Sequence, residues 1–446
     1  PAIPPEQLAL FGDLEKAIEE GKKESQKISY EREKPRKEKP FRNTLPEDLP
    51  REQIVIEPDF DTEGLVVIGK EVTEELDYVP ASFKVFCYIR FKYAAPKNED
   101  AAIRIANLPA RPIEKGIAGP GLLAKIIVNK FCDHLPFYRQ QKIFSREGFD
   151  IPSSTLEGWF ARTCNLLEPL YDQLQRQVLS ADYLQADETP IKVLDKKKKG
   201  KAHRGYHWIY HAPEKKLALF DYRPGRSKAG PAAILQNFKG WLQTDGYTVY
   251  EDFEKRSGIQ LVGCLAHARR YFERALDTHP EEAGQMLRWI QELYAVERKA
   301  RDHQLNPDQR QAIRQKEAVP VIDKIGKWMI EQHKAPTFLP KDLMGKAFTY
   351  LLNRFNYIAR YLLDGRLEID NNLAENLIRP IAIGRKNYLF AGSHSGAKQA
   401  AMIYSLLGTC KRNEVEPFEW LSNVLARLPE HPVNRLDELL PDQWSA

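Results

Sequence analysis

Three acidic residues carry the chemistry that this chain offers. Asp187 sits in the middle of DYLQADETPIKVL (182–194), an apolar, β-branched stretch that reads as a strand and in which a buried charge is costly. Asp245 follows in TDGY, at the end of another strand candidate, and Glu375 lies in NLAEN, on a helix. Carboxylates are hard oxygen ligands, and three of them on rigid elements are the arrangement that two divalent ions need for phosphodiester chemistry. One such aspartate alone is more often a turn or strand-edge residue. It is the set of three that points to catalysis.

Donors suited to phosphate surround them in the sequence: Arg269 and Arg270 in CLAHARRYF, Arg379 one helical turn after Glu375, and Arg385 with Lys386 in GRKNYLF. Each taken alone is an ordinary surface cation. His267 either orients a phosphate in the site or is a satisfied helix histidine. His207 and His211 have a spacing that tempts a metal reading, which their place in a strand candidate disfavours.

The elements that must position the acids read as a meander of strands followed by alternating helices and strands. LQADETPIKVL, YHWIYHA, KLALFDYR, GWLQTD and LVGCLA are the strands, with a helix in KAGPAAILQNF. That order gives a mixed sheet with helices on its faces, the pattern of an RNase-H-like core. Pro190 fits poorly inside the first strand and predicts a bulge just after Asp187. Asp245 falls at the C-terminal end of its strand, where open α/β sheets place their chemistry. The interval from Asp245 to Glu375 is 130 residues (375 − 245), against 58 (245 − 187) between the first two acids. Apolar spacings such as Met286, Ile290, Leu293, Val296 and Leu351, Phe355, Ile358, Leu362 make the excess a helical insertion of roughly eighty residues. IDNNLAENLIRP then reads as a helix capped by Asp370 or Asn371, with Glu375 and Arg379 side by side, and Ser393 or Ser395 caps the next helix.

The fold class expected is therefore multidomain α/β: an RNase-H-like mixed-sheet core with a helical insertion, preceded by a small β-module and a helix-turn-helix-like region. Residues 1–45 form a basic flexible arm and 46–112 the β-module, in which Val85, Cys87 and Ile89 share one face. Residues 113–180 are helical, with a Gly148 turn, Ser153 or Ser154 as N-cap, and a second helix that presents Thr155 and Arg162 either to DNA or as part of an ordinary helical hairpin. The core occupies 181–278 and 366–412, the insertion 279–365, and a C-terminal helical segment 413–446. The Lys196–Lys199 run is a loop between strands.

Composition sets the outer bounds. A net charge of +5 and a pI near 8.7 permit nucleic-acid binding without requiring it. Five cysteines with no CxxC pair speak against a disulfide framework and a four-thiolate zinc site, and for a reducing cytoplasm. The sequence contains no apolar run of membrane-spanning length and no signal peptide, and because it begins at Pro1 further sequence is expected before it.

Several blocks carry a resemblance. ADETPI, TDGYTVYEDF, GCLAHARRYF and above all DNNLAENLIRPIAIGRKNYLFAGSHSGA resemble the blocks of the DDE transposases of the insertion-sequence-66 family. ARPIEKGIAGPGLLAKIIVNKFCDHLPFYRQQKIF is similar to that family's helix-turn-helix region, and HPVNRLDELLP to its C-terminus. The resemblance implies Asp187, Asp245 and Glu375 as a metal-binding triad with Mg²⁺, for which Mn²⁺ substitutes. It further implies DNA as partner (terminal inverted repeats and target), a homodimer or higher synaptic oligomer, small accessory proteins, and a bacterial, nucleoid-associated location. The family's paired cysteines are missing from the β-module here, so no zinc is expected. The alternatives are a nuclease on the same scaffold and a captured transposase that only binds DNA.

Overall fold

In the computed structural model, residues 109–194 and 202–445 are described, with isolated positions between 83 and 107. The basic arm, the Lys196–Lys199 run and most of the β-module lie outside the described residues. Two compact units are distinguished, one of them Gly21–Cys87, and every helix and strand discussed below belongs to the other. Of the β-module, Lys92–Tyr93 pairs antiparallel with Arg104–Ile105. Residues 85–89 are not strand, and the face expected of Val85, Cys87 and Ile89 is exposed.

The N-terminal helices are α1 (Pro120–Phe131), α2 (Phe137–Arg146) and α3 (Ser153–Leu179). Gly148, at φ +89°, makes the turn between α2 and α3. The cap of α3 differs from expectation: Pro152 is the N-cap residue, its carbonyl accepts from the Thr155 and Leu156 amides, and Ser153 is already helical. A long buried stripe (Leu156, Phe160, Cys164, Leu167, Leu170, Leu174) seats α3 in the core.

The sheet is built from β1 (Tyr183–Leu194), β2 (Ala202–Ala212), β3 (Leu217–Arg223), β4 (Gly240–Gln243) and β5 (Ile259–Val262). Its order is β3-β2-β1-β4-β5, antiparallel from β1 through β2 to β3 and parallel from β1 through β4 to β5. Trp208, Ile209 and Tyr210 of β2 are all buried, so both faces of the sheet are covered.

Pro190 does not produce the expected bulge: β1 and β2 stay in register through the Pro190–Tyr206 pair. The reason is the direction of the even-numbered peptide groups. Lys192 O and Leu194 N bond Ala391, on the side away from β2, and Pro190 O accepts from Arg385 on that same side. The missing proline N–H therefore costs no ladder bond.

Short helices α4 (Ala229–Ile234) and α5 (Glu251–Ser257) connect strands, and α6 (Leu265–Ala275) follows β5. The insertion comprises α7 (Pro280–Asp302), α8 (Pro307–Ile313), a π turn at Arg314–Ala318, α9 (Val319–Lys334) and α10 (Leu343–Ala359). Met286, Ile290, Leu293, Ile325, Met329 and Leu351 form its core, continuous with Phe272 of α6. Fully buried Arg314 is matched by fully buried Glu297 at 2.7 Å and donates to the carbonyls of Tyr361, Asp364 and Leu367. Arg310 bridges Glu297 and Glu368. With every charge partnered, the ionic cluster is tolerated in the interior and ties the insertion to the loop at 364–371.

That loop leads into α11 (Asn372–Tyr388), α12 (His394–Arg412) and α13 (Pro417–Arg427). Ser393 caps α12 by accepting from the Gly396 amide at 3.0 Å. On edge strand β3, the Phe220 and Ala218 amides donate to Ser405 Oγ and Thr409 Oγ1 at 2.7 and 3.1 Å. Helix α12 thereby closes the open sheet edge.

Candidate active site

Leu184 faces Leu242 and Gln185 faces Gln243 in the parallel β1–β4 register. The chain thus sets LQAD (184–187) beside LQTD (242–245). Side chains two residues apart share a face of a strand. Asp187 shares the face of Gln185 on β1, and Asp245, in the turn two residues past the end of β4, lies close enough for its charge to act on Asp187.

Burial pushes the Asp187 carboxyl well above the usual carboxylate range, and the charges of Asp245, Glu188 and Glu375 add to the shift. The Glu188 amide, donating to Asp187 Oδ1 at 2.7 Å, opposes it. The site disfavours the charged form of Asp187.

Asp245 sits in a tight turn. Its Oδ1 accepts from the Tyr247 amide at 2.9 Å, and its carbonyl accepts from Tyr350 Oη at 2.7 Å. Gly246 adopts φ +91°, and a Cβ there would stand 2.8 Å from Arg354 Nε. Arg354 donates to Gly246 O at 2.7 Å and to Glu251 at 2.6 Å. The insertion thus holds the second acid through Tyr350 and Arg354 of α10.

Glu375 lies in the first turn of α11. Arg270 Nη2 donates to its Oε2 at 2.7 Å, and His267 Nδ1 is 3.7 Å from its Oε1. Arg270 Nη1 also lies 3.3 Å from His267 Nε2. Burial lowers the His267 pKa, with Glu375 pulling the other way. Glu375 Oε1 and His267 Nδ1 are both buried without a hydrogen-bond partner. Among the described residues, Cys264, His267 and Glu375 have ligand atoms within 4.8 Å of one another. Asp187 and Asp245 do not join Glu375 that closely. Glu375 is drawn instead toward the cation on α6.

The donor set is chiefly carboxylate oxygen, one acid is destabilised as an anion, and one Glu375 oxygen is buried without a partner. Those features fit a hard divalent cation held by Asp187, Asp245 and Glu375.

The other residues singled out by sequence divide clearly. Arg270 and His267 stand in the site. Arg379 is exposed, and Glu375 pairs with Arg270 of α6 rather than with Arg379 of its own helix. Arg269 is buried against Glu273 at 2.7 Å. Arg385 is half-buried on the Pro190 carbonyl, while Lys386 is exposed. Thr155 is half-buried and Arg162 exposed on α3. His207 and His211 are buried core residues whose pKa burial lowers to about 3.

The α11 cap also differs from expectation. Asn371 occupies the N-cap position without a side-chain cap bond. Asp370 is buried, accepts from the Asn372 amide at 3.0 Å and from Tyr294 Oη at 2.6 Å, and has its pKa raised to about 6 by burial.

Sequence reasoning missed Tyr183, Gln185, Gln243, Tyr350 and Arg354. For the glutamines a signal existed in the repeated LQxD of two strands, each acid preceded at the same distance by the same amide. For Tyr350 and Arg354 there was none, since they reach the turn from the insertion.

Comparison with known proteins decides the family. Residues 115–399 match the Transposase IS66 family, and residues 405–441 match the IS66 C-terminal element. The chain belongs to the IS66 transposase family. The IS66 match spans Asp187, Asp245 and Glu375 together with α6 and the insertion. Among curated relatives, uncharacterized protein y4hP of Sinorhizobium fredii is 32% identical over 445 residues, covering 92% of this chain and 78% of that protein. Uncharacterized protein y4qI of the same organism is 32% identical over 462 residues, covering 99% of this chain and 84% of that protein. Uncharacterized protein YuaK of Escherichia coli is 41% identical over 49 residues, 11% of this chain and 52% of its own length. Membership of the IS66 transposases implies a DNA-processing enzyme.

Proposed function

We propose that this IS66 transposase is a DDE enzyme with an RNase-H-like core that binds the ends of an insertion element, cleaves DNA strands and joins 3′-OH ends to target DNA. The observation that carries this reading is the parallel register of LQAD and LQTD, which makes Asp187 and Asp245 neighbours within electrostatic reach of Glu375. In this reading Asp187, Asp245 and Glu375 would hold the divalent ions through their carboxylate oxygens. Mg²⁺ when bound supplies activation of a water or 3′-hydroxyl and stabilisation of the leaving oxygen.

The chain's own side chains prepare the site. Tyr350 and Arg354 fix the Asp245 turn so that its carboxylate is presented in one orientation. Arg270 holds Glu375, and its guanidinium would be available to a phosphate oxygen if that carboxylate turned to a cation. His267 lies beside Glu375 as a neutral ring able to orient that phosphate. Exposed Lys386 and Arg379 extend the positive surface of α11 for the DNA backbone, and α2 and α3 with Thr155 and Arg162 supply a helix-turn-helix contact. Joining two ends requires them in one assembly, a dimer or larger. Among the described residues no helix is long and apolar enough to cross a membrane.

The test is incubation of the protein with Mg²⁺ and linear DNA carrying the repeats that flank its gene. Nicks at the repeat termini and products joined to a second duplex are expected. Nicks without joints would make it a nuclease, and binding without nicks would overturn the enzymatic reading.

A further inference from the structure

Between the strands and the loop that leads to Glu375 lies a closed set of hydrogen bonds among fully buried side chains. Gln243 Oε1 accepts from Tyr183 Oη at 2.5 Å and from Gln185 Nε2 at 2.9 Å. Gln243 Nε2 donates to the carbonyls of Glu368 at 2.7 Å and Gly263 at 3.0 Å. Gln185 Nε2 also donates to Asp370 O at 3.0 Å, and the Glu368 amide donates to Tyr183 Oη at 3.1 Å. The neutral ring of His211 lies 3.3 Å from the remaining Gln185 oxygen.

Four segments meet here: β1 through Tyr183 and Gln185, β4 through Gln243, the β5–α6 turn through Gly263, and the loop at 364–371 through Glu368 and Asp370. The first segment carries Asp187, and the others lead directly into Asp245, the pair His267 and Arg270 on α6, and Glu375 on α11. The loop at 364–371 has no strand or regular helix to satisfy its backbone. Its carbonyls are claimed by Arg314, Gln243 and Gln185 instead.

Apolar residues could fill this space, and burying amides is unfavourable unless they are satisfied. What the amides add is direction. Both Nε2 groups point at carbonyls, so each amide orientation is set by its neighbours and the network has one arrangement. A shift of any one segment would leave a buried donor or acceptor unmade.

We propose that Tyr183, Gln185 and Gln243 are positioning residues of the active site: a buried clamp that sets the segments bearing the three carboxylates against one another, so that a divalent ion has only Glu375 to draw in from Arg270. The proposal rests on the triad reading above. Each amide acts at a distance of two residues along its strand, and none touches the ion or the DNA.

The test measures Mn²⁺ binding to the full chain by the electron paramagnetic resonance of free Mn²⁺, alongside thermal melting and nicking of end DNA. Gln243→Met keeps length and volume but removes the amide. It should fold and melt cooperatively, yet bind Mn²⁺ about tenfold or more weakly, the loss typical of supports behind metal ligands. Nicking should fall at low Mg²⁺ and recover in part at high Mg²⁺, a dependence that simple loss of stability would not give. Tyr183→Phe removes one hydroxyl and should weaken Mn²⁺ binding in the same direction by about tenfold, at the mild end of such losses; it decides the matter if Gln243→Met does not fold. A folded clamp variant that binds Mn²⁺ as tightly as the unsubstituted chain, while Asp187→Asn loses the ion, overturns the clamp alone. If Asp187→Asn itself keeps Mn²⁺, the triad reading fails and the clamp falls with it.

Discussion

Gln185 Nε2 donates to Gln243 Oε1 at 2.9 Å across the parallel strands β1 and β4. A one-residue slip of either strand would break this bond and turn one aspartate to the opposite face of the sheet. Register, and with it the pairing of Asp187 with Asp245, is thus fixed by groups that do no chemistry themselves.

Stability should respond differently to the individual acids. The Asp187 carboxyl is held above its ordinary range, so its proton is bound more tightly in the folded chain, and stability is lost as pH rises through the folded-state value. Asp187→Asn should therefore stabilise the metal-free protein near neutral pH. Glu375→Gln removes the partner of Arg270 and should give no such gain. Melts in EDTA at pH 7 check this; equal shifts for the two variants would contradict it.

Asp370 offers a pH signature. Its pKa is raised from 3.8 to about 6, so the stability its burial permits is fully present below about pH 4 and declines as pH rises through 6. Between pH 4 and 7, the stability of Asp370→Asn relative to the unsubstituted chain should improve by about 2 kcal/mol, with most of the change below pH 6.5. Denaturant melts across that range measure it, and a flat difference would refute it.

Gly246 carries a conformational demand. Its φ of +91° strains any L side chain, and a Cβ there would stand 2.8 Å from Arg354 Nε and displace it, so Gly246→Ala should destabilise by about 1–3 kcal/mol and lower strand cleavage more than DNA binding. Chemical denaturation and a cleavage assay on the same preparation test both halves.

Much of this architecture was legible in the sequence. The five strands in chain order and the run of helices after them follow from periodicity and spacing, because alternation and apolar stripes report burial directly. The Pro190 bulge failed as an expectation, since whether a proline N–H is missed depends on which way the peptide group points. The start of α11 fell at Asn371 as expected, but Asn371 makes no side-chain cap bond, and Asp370 divides its oxygens between the Asn372 amide and Tyr294, a contact made across 76 residues of chain. Arg379 was favoured as the partner of Glu375 by helical spacing alone, whereas Arg270 arrives from α6 with its guanidinium already beside the site.

Zinc content is a separate check. The cysteines are scattered, and in the Cys264, His267 and Glu375 group the second Glu375 oxygen is bonded to Arg270, whose charge opposes a cation there. Purified protein should contain no stoichiometric zinc. Elemental analysis showing about one zinc per chain would contradict this, one ion being what a structural site holds.

The central claim is that Asp187, Asp245 and Glu375 together perform the chemistry. The most direct measurement is Mg²⁺-dependent cleavage of element-end DNA by Asp187→Asn, Asp245→Asn and Glu375→Gln, with Asp252→Asn as control, since Asp252 pairs with Lys228 and its side chain is 46% exposed. Each of the three amides keeps the shape of its side chain and removes the charge that holds a divalent ion. The account predicts that cleavage is abolished in all three, with DNA binding in EDTA intact or tighter, while Asp252→Asn retains most activity. Near-normal cleavage by Glu375→Gln, or loss in the control alone, would contradict it.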